Sequence, residues 1–133
     1  MADYGLKLIS PEKDYYNGLV SMVVLPGEDG DFAAMHEHSP LITYLRPGKI
    51  DIFEKQEISI SFFVASGFVK VENDSCLVMV DYIKNIKGLE KKNIEADIAR
   101  IQEKIEKEAN ELSRIKLTDK IKILEAQIEI IRS

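Results

Sequence analysis

The chain has 133 residues, of which 45% are hydrophobic and 31% charged, and its formal net charge is −5. This acidity argues against nucleic-acid binding. The chain also has no run of about 18 apolar residues, which is the length that a membrane-spanning segment needs. The single cysteine rules out an internal disulfide and fits a reducing compartment, and Met1–Tyr4 lacks the basic and apolar regions of a signal peptide.

The composition changes abruptly at Gly88. Every glycine, proline and aromatic residue lies at or before this position. Residues 1–88 carry 8 basic and 13 acidic side chains, whereas residues 89–133 carry 10 of each within only 45 residues. Such a change indicates two structural units, of which only the first has enough apolar residues for a globular core. The sequence therefore predicts domains over residues 1–88 and 89–133.

Short apolar runs closed by turn residues recur through the first unit. Ile50 and Ile52 alternate with Asp51, and this period of two places both isoleucines on one face of a sheet. The polar breaks at residues 55–57 and 72–74 have the length of hairpin turns. The predicted strands span residues 6–9, 19–25, 41–45, 50–53, 58–64, 68–71 and 76–82. Many short strands at close spacing favour a β-sandwich or barrel, in which Cys76 would be a packed core thiol.

The second unit has the pattern of two amphipathic helices. Apolar residues at 94, 98, 101, 105, 109 and 112 predict a first helix of about 23 residues. Apolar residues at 121, 124, 128 and 131 predict a second helix. The expected link covers Ser113–Thr118, with Thr118 as the N-cap of the second helix. Two narrow stripes joined by a short link predict an antiparallel helical hairpin, so the fold class is α+β, strands first and helices second.

The turn-rich segment between Pro26 and Gly48 is the most informative part of the chain. It contains three of the four prolines, three of the seven glycines and both histidines. Such segments lie on the surface and commonly carry contacts. Gly30 followed by His36 and His38 matches the opening of the metal-binding cupin signature, Gly-x5-His-x-His. The glutamate and the third histidine of that signature are missing, so no metal site is expected.

Two segments resemble a known family. The first contains a Gly-x-x-Gly turn, an acidic residue, His-x-Pro-Leu and Pro-Gly, at Gly27, Gly30, Asp31, His38, Pro40, Leu41 and Pro47–Gly48. The second runs from Phe63 to Val71 and continues into a strand that ends at Asp81, with Ser66 in place of the family's usual glycine. In both segments the chain resembles the epsilon subunit of the bacterial F-type ATP synthase. It departs from the family at His36–Glu37, where Pro-Gly is usual.

The resemblance implies a non-catalytic central-stalk subunit that couples proton translocation to ATP synthesis. Its β-sandwich would contact the gamma subunit and the rotor ring of c subunits. Its C-terminal helices would reach the catalytic alpha and beta subunits and inhibit ATP hydrolysis. The implied contact residues are Glu28, Gly30, Asp31, His38, Pro40 and Thr43. The expected location is peripheral, on the cytoplasmic face of the bacterial inner membrane, and no cofactor is expected.

Many members of this family bind ATP through a motif at the start of the first C-terminal helix: Ile or Leu, Asp, two residues, Arg, Ala. Counting from Asp81 without a gap places its key positions on Leu89, Glu90, Asn93 and Ile94. Asn93 replaces the arginine and so lacks the cation that binds phosphate, and Ile94 replaces a small alanine. The sequence therefore predicts little or no ATP binding. A late second match, Asp97 to Arg100, has the spacing of an ordinary surface ion pair.

Two alternatives stay open at this point. One is a β-sandwich fused to a coiled coil that serves as an adaptor or chaperone-like module. The other is a cupin-like metal enzyme, for which the ligand set is incomplete. The family resemblance is more specific than either, because it covers both segments and the order of strands and helices.

Overall fold

A computed structural model describes residues 3–132 of the chain. By their internal contacts these residues divide into two compact units, with the boundary between Ile86 and Lys87. The first unit consists of strands and the second of two helices, so the predicted fold class is confirmed.

Ten strands form the first unit. They are β1 (Tyr4–Ile9), β2 (Asp14–Val20), β3 (Met22–Gly27), β4 (Gly30–Ala34), β5 (Leu41–Leu45), β6 (Gly48–Glu54), β7 (Glu57–Val64), β8 (Gly67–Val71), β9 (Ser75–Val80) and β10 (Ile83–Asn85). The order in the sheet is β10-β7-β6-β3-β5-β8-β9-β1-β2, with β4 paired to β3 outside this path. Among the strands of the described residues, β1 and β9 pair in parallel and the other pairs are antiparallel.

The sheet curls so that one hydrophobic core lies between its two halves. Leu8 on β1 and Ile52 on β6 lie far apart in the strand order, yet both are fully buried in the same core cluster. The alternation of Ile50 and Ile52 with Asp51 is observed as predicted, because both isoleucines are buried and Asp51 is half-buried. Two layers that share one core make this unit a β-sandwich.

Several strand boundaries differ from the sequence prediction. The expected strand over residues 19–25 is broken at Ser21, whose backbone N–H and hydroxyl donate to the Phe53 carbonyl, and β2 and β3 lie on either side. Strand β4 was not predicted because its sequence, Gly-Asp-Phe-Ala-Ala, has no apolar alternation. Strand β10 is only three residues long and carries two charged or polar side chains. Both strands form because a neighbouring strand supplies hydrogen-bond partners, which local sequence does not encode.

Close backbone approach explains the glycine at position 67. A Cβ atom there would clash with the carbonyl oxygen of Met79 on the neighbouring strand. Beside it, the hydroxyl of Ser66 donates to Asp81 at 2.5 Å, and the Asp81 N–H donates back to the Ser66 carbonyl at 3.3 Å. These two bonds hold Asp81, which follows β9, against Ser66, which precedes β8. The role of Asp81 is therefore structural.

The second unit contains α1 (Lys91–Lys107) and α2 (Glu111–Arg132), preceded by a short 3-10 turn at Ile86–Gly88. The two helices pack against each other, and the link between them has only three residues. Such a short link forces an antiparallel pair, as predicted. The predicted apolar positions of both helices, from Ile98 to Ile131, are mostly half-buried.

The predicted link at Ser113–Thr118 and the first helix of about 23 residues are wrong. Helix α1 has 17 residues, and the chain turns at Glu108–Asn110. Asn110 caps α2, because its side-chain oxygen accepts the Ser113 N–H at 3.0 Å. Thr118 lies inside α2, where its hydroxyl donates to the Arg114 carbonyl at 2.9 Å. A threonine satisfied in this way need not mark a helix start.

Candidate functional site

The acidic residues of the Pro26–Gly48 segment lie at a tight hairpin turn. Glu28 and Asp29 form the turn between β3 and β4, and Asp31 is the second residue of β4. Both glycines beside this turn are needed for the backbone geometry. A Cβ on Gly27 would lie 2.8 Å from the Gly30 carbonyl oxygen, and Gly30 has a φ of +139°, which other residues rarely adopt. The chain thus presents three exposed carboxylates at one corner of the sandwich.

Strand β5 holds this turn in place. The Glu28 N–H donates to the Tyr44 carbonyl at 2.8 Å, and the Arg46 N–H donates to the Pro26 carbonyl at 3.0 Å. The guanidinium of Arg46 then donates to the Gly27 carbonyl at 3.2 Å and to Asp31 Oδ1 at 2.6 Å. Asp31 is therefore one partner of an ion pair and not an isolated anion. The sequence analysis missed this pairing.

His38 lies in the loop between β4 and β5. Its backbone N–H donates to the Met35 carbonyl, and its Nδ1 lies 2.6 Å from the Ser39 carbonyl oxygen. The imidazole ring packs near Phe32, with ring centroids 6.3 Å apart. Phe32 follows Asp31 on β4, and successive strand residues point to opposite faces. The contacts of Asp31 and of His38 thus lie on opposite faces of the β3–β4 hairpin.

The other predicted contact residues are spread along β5. Pro40 is exposed just before the strand begins, and Thr43 is half-buried in its middle. Gly27 pairs with Leu45 at the far end of β5, so the acidic turn and Pro40 are separated by nearly the whole strand. Five residues of strand correspond to about 16 Å. The predicted residues therefore form one group at the turn and one at the loop of His38 and Pro40, with Thr43 on the strand between them.

A large apolar surface lies on the outside of the same strands. Tyr44 pairs with Phe68, Phe68 with Met79, and Met79 with Ile9, so one row of side chains crosses β5, β8, β9 and β1. Tyr44 is 66% and Phe68 36% exposed, and in the next row Ile42 is 70% exposed. We call Ile9, Ile42, Tyr44, Phe68, Leu77 and Met79 the outer apolar face, in which the exposed Lys70 lies between Ile42 and Leu77. A patch of this kind commonly marks a binding surface.

The sequence of β5 by its pattern already indicates this face. Ile42 and Tyr44 lie on one face of β5, and Leu41 and Leu45 lie on the other. Strand β5 therefore has large apolar residues on both faces. A strand that borders a core on one side and water on the other needs them on only one.

The histidine and cysteine side chains form no metal-binding cluster in the described part of the chain. Among residues 3–132 no three His, Cys, Asp or Glu side chains cluster as metal ligands. Cys76 is buried, and burial raises the pKa of its thiol to about 12, so at neutral pH it stays protonated and unreactive. Between residues 3 and 132 no helix has the length and apolar character that crossing a membrane requires.

The four positions of the degenerate ATP motif lie at the start of the helical unit. Glu90 is the N-cap residue of α1, and its carboxylate accepts a 3.3 Å hydrogen bond from the Asn93 side chain. Leu89 is half-buried and Ile94 buried. Further along α1, Arg100 forms an ion pair with Asp97. The start of α1 thus offers no cation at the position where the motif has its arginine.

At the other end of the hairpin, side chains from both helices line a cleft. Four of them are lysines with no ion-pair partner among the described residues, namely Lys104, Lys107, Lys116 and Lys120. One carboxylate, Glu108, lies in the same cleft. The charged side chains that line this cleft are therefore mainly basic, although the chain as a whole is acidic.

Comparisons with known proteins point to one family. The family model described as ATP synthase, Delta/Epsilon chain, beta-sandwich domain matches residues 3–86. The ATP synthase epsilon chain of Rhodospirillum rubrum is 32% identical over 120 residues, which are 90% of each chain. That of Rhodospirillum centenum is 33% identical over 132 residues, covering 96% of this chain and 90% of the relative.

Two solved structures share the fold at low sequence identity. A chain in the Euglena gracilis mitochondrial ATP synthase superposes with a TM-score of 0.81 at 14% identity, covering 98% of this chain and 82% of that one. A chain in the Tetrahymena thermophila mitochondrial ATP synthase central stalk and c-ring superposes with a TM-score of 0.57 at 19% identity, covering 65% of this chain and 69% of that one. These identities support a shared fold and no more.

Proposed function

The chain belongs to the delta/epsilon chain family of the ATP synthase, and from this premise we propose that it is the epsilon subunit of a bacterial F-type ATP synthase. In this role it is a non-catalytic subunit of the central stalk, and it couples proton translocation to ATP synthesis at sites on other subunits. The observation that carries the proposal is similarity over 90% or more of the chain to named epsilon chains. Neither the adaptor reading nor the cupin reading accounts for that similarity.

The outer apolar face is the part of the sandwich best suited to bind the gamma subunit. Its exposed aromatic side chains, Tyr44 and Phe68, offer the kind of anchors that dominate protein interfaces. A subunit that turns with gamma needs an interface that holds under torque. Burial of apolar surface supplies such an interface better than exposed ion pairs do.

The acidic turn is the part best suited to contact the rotor ring. Glu28, Asp29 and Asp31 place three carboxylates at one corner, with Arg46 as the adjacent cation. Basic loops on the ring would be attracted to this corner, and such charge complementarity sets orientation and association rate more than affinity. With these partners, the subunit would be peripheral and lie at the cytoplasmic face of the inner membrane.

The helical hairpin would act on the catalytic alpha and beta subunits and inhibit ATP hydrolysis. Its basic cleft, lined by Lys104, Lys107, Lys116 and Lys120, fits an acidic surface on such a partner. Because Asn93 bonds to Glu90 and no arginine stands at that position, ATP binding at the start of α1 is not expected to control the hairpin. The control would then come from rotation or the proton-motive force.

Reconstitution of the complex tests the stalk role and the inhibitory role separately. A tagged full-length chain should co-purify with gamma and the ring, and a complex that lacks it should lose coupled proton pumping. Removal of residues 89–133 should leave assembly intact and raise the rate of ATP hydrolysis. Failure of the full-length chain to join the complex would contradict the stalk role, whereas unchanged hydrolysis after truncation would contradict only the inhibitory one.

A further inference from the structure

The contacts of Arg46 single it out among the charged residues of the sandwich. Its guanidinium donates through Nη1 to the Gly27 carbonyl and through Nη2 to Asp31 Oδ1, so one side chain spans both strands of the acidic hairpin. Its own backbone is fixed to β3 by the bond from the Arg46 N–H to the Pro26 carbonyl. A planar group with two engaged nitrogens and a fixed backbone has little rotational freedom left.

Arg46 restricts the orientation of the Asp31 carboxylate. Oδ1 accepts the hydrogen bond from Arg46, and among the described residues the carboxylate has no other hydrogen bond or ion pair. The Asp31 side chain is nevertheless 66% exposed. Its second oxygen is therefore left without a partner in the chain, and it can accept a hydrogen bond from a donor on another molecule while Arg46 restrains the carboxylate.

The stability of the sandwich does not account for this pair. Both side chains are well exposed, and ion pairs of this kind contribute little to folding. A lysine would pair with Asp31 as well in terms of charge, but one ammonium cannot reproduce the planar two-nitrogen fork. The two guanidinium nitrogens connect the backbone of the turn to the Asp31 carboxylate. A docking surface requires charged groups that are held in such a fixed arrangement.

We propose that Arg46 is a positioning residue for the rotor-ring contact. It orients Asp31 toward a cationic donor on the partner and lowers the entropy that would otherwise be lost on docking. This inference rests on the proposed function, in which the acidic turn faces the ring. It adds that the contact depends on a cation of the subunit itself, and not only on the three carboxylates.

Two opposite effects of Arg46 on binding kinetics make the proposal testable. Removing its charge makes the turn more acidic and should speed association with a basic surface at low salt. Removing its fork frees Asp31 and should speed dissociation. A purely structural residue would not raise the association rate, and a purely electrostatic one would not raise the dissociation rate.

The experiment measures both rates for the full-length chain in complex with gamma, binding to an immobilised detergent-solubilised c ring at several salt concentrations. Arg46→Lys should leave the association rate within twofold and raise the dissociation rate about two- to tenfold, the cost of ordering one side chain. Arg46→Gln should raise dissociation similarly and also raise association at low salt. Arg100→Gln, which removes an ion-paired arginine from α1, is the matched control and should change neither rate.

Asp31→Asn separates failure of the inference from failure of the site. If Asp31→Asn weakens binding but both Arg46 variants dissociate like the wild type, the positioning role is wrong and the contact stands. If Asp31→Asn binds like the wild type, the contact itself is wrong, and the role of Arg46 falls with it. Nitrogen-15 relaxation of residues 28–31 in the isolated full-length chain gives a second test, since unchanged order in Arg46→Lys and Arg46→Gln would also overturn the proposal.

Discussion

The outer apolar face yields a quantitative prediction for Tyr44→Ala. Tyr44 is 66% exposed, so a partner could cover about 100–160 Å² of a side chain that buries about 150–250 Å² in full. At about 25 cal/mol per Å² this corresponds to roughly 2.5–4 kcal/mol of binding free energy, of which alanine would retain a small part. We therefore expect the dissociation constant for the gamma subunit to rise about 30- to 300-fold.

The same substitution should hardly affect folding. The Tyr44 side chain is largely exposed, and its main contribution to stability is the cross-strand pairing with Phe68, which contributes about 0.2–1 kcal/mol. The bond from the Glu28 N–H goes to the Tyr44 backbone carbonyl and does not depend on the side chain. Urea unfolding of the isolated full-length chain should thus show a small change, while binding shows a large one.

Calorimetric titration of the full-length chain with the gamma subunit measures the effect. Ile58→Ala is the matched control, because Ile58 is a 50% exposed apolar residue on β7, outside the outer apolar face. Its affinity for gamma should stay within about twofold of the wild type. The reasoning would be refuted if Tyr44→Ala bound normally, or if Ile58→Ala weakened binding by as much.

Four further predictions concern the two units. Residues 1–88 should fold alone, and a disordered circular dichroism spectrum would contradict this. Gly67→Ala should destabilise the sandwich by about 1–3 kcal/mol or more in urea unfolding, since the new methyl clashes with the Met79 carbonyl; a neutral result would refute the clash. Burial raises the pKa of the Cys76 thiol from 9.0 to about 12, so above pH 9 the thiol is deprotonated in the unfolded chain but still protonated in the folded one. The free energy of unfolding should therefore fall as pH rises, by about 1.4 kcal/mol per pH unit from this group. Cys76→Ala should remove that part of the slope. Calorimetry with Mg-ATP should detect no binding to the isolated subunit, and a dissociation constant at or below the low-millimolar range that Arg100→Ala abolishes would contradict the expectation.

The composition and periodicity of the chain are enough to derive the broad plan of this protein. The loss of glycine, proline and aromatic residues after Gly88 marks the change from strands to helices, and the structural units divide two residues earlier, after Ile86. Strand β5 was predicted with its observed bounds, Leu41–Leu45, because turn residues close it on both sides. The strands and the helical stripes follow from periodicities of 2 and 3.6 residues, which report which side chains share a face.

Which of those faces is covered, and which distant side chains meet, depends on how the strands pair and the sheet closes. Ile42 and Leu45 are both apolar residues of β5, yet the first is 70% exposed and the second 6%, because the curl of the sheet covers one face and leaves the other open. Arg46 and Asp31 lie 15 residues apart and meet only because β3 pairs with both β4 and β5. Periodicity is a local property of the chain, whereas strand pairing and sheet closure depend on contacts between residues far apart in sequence.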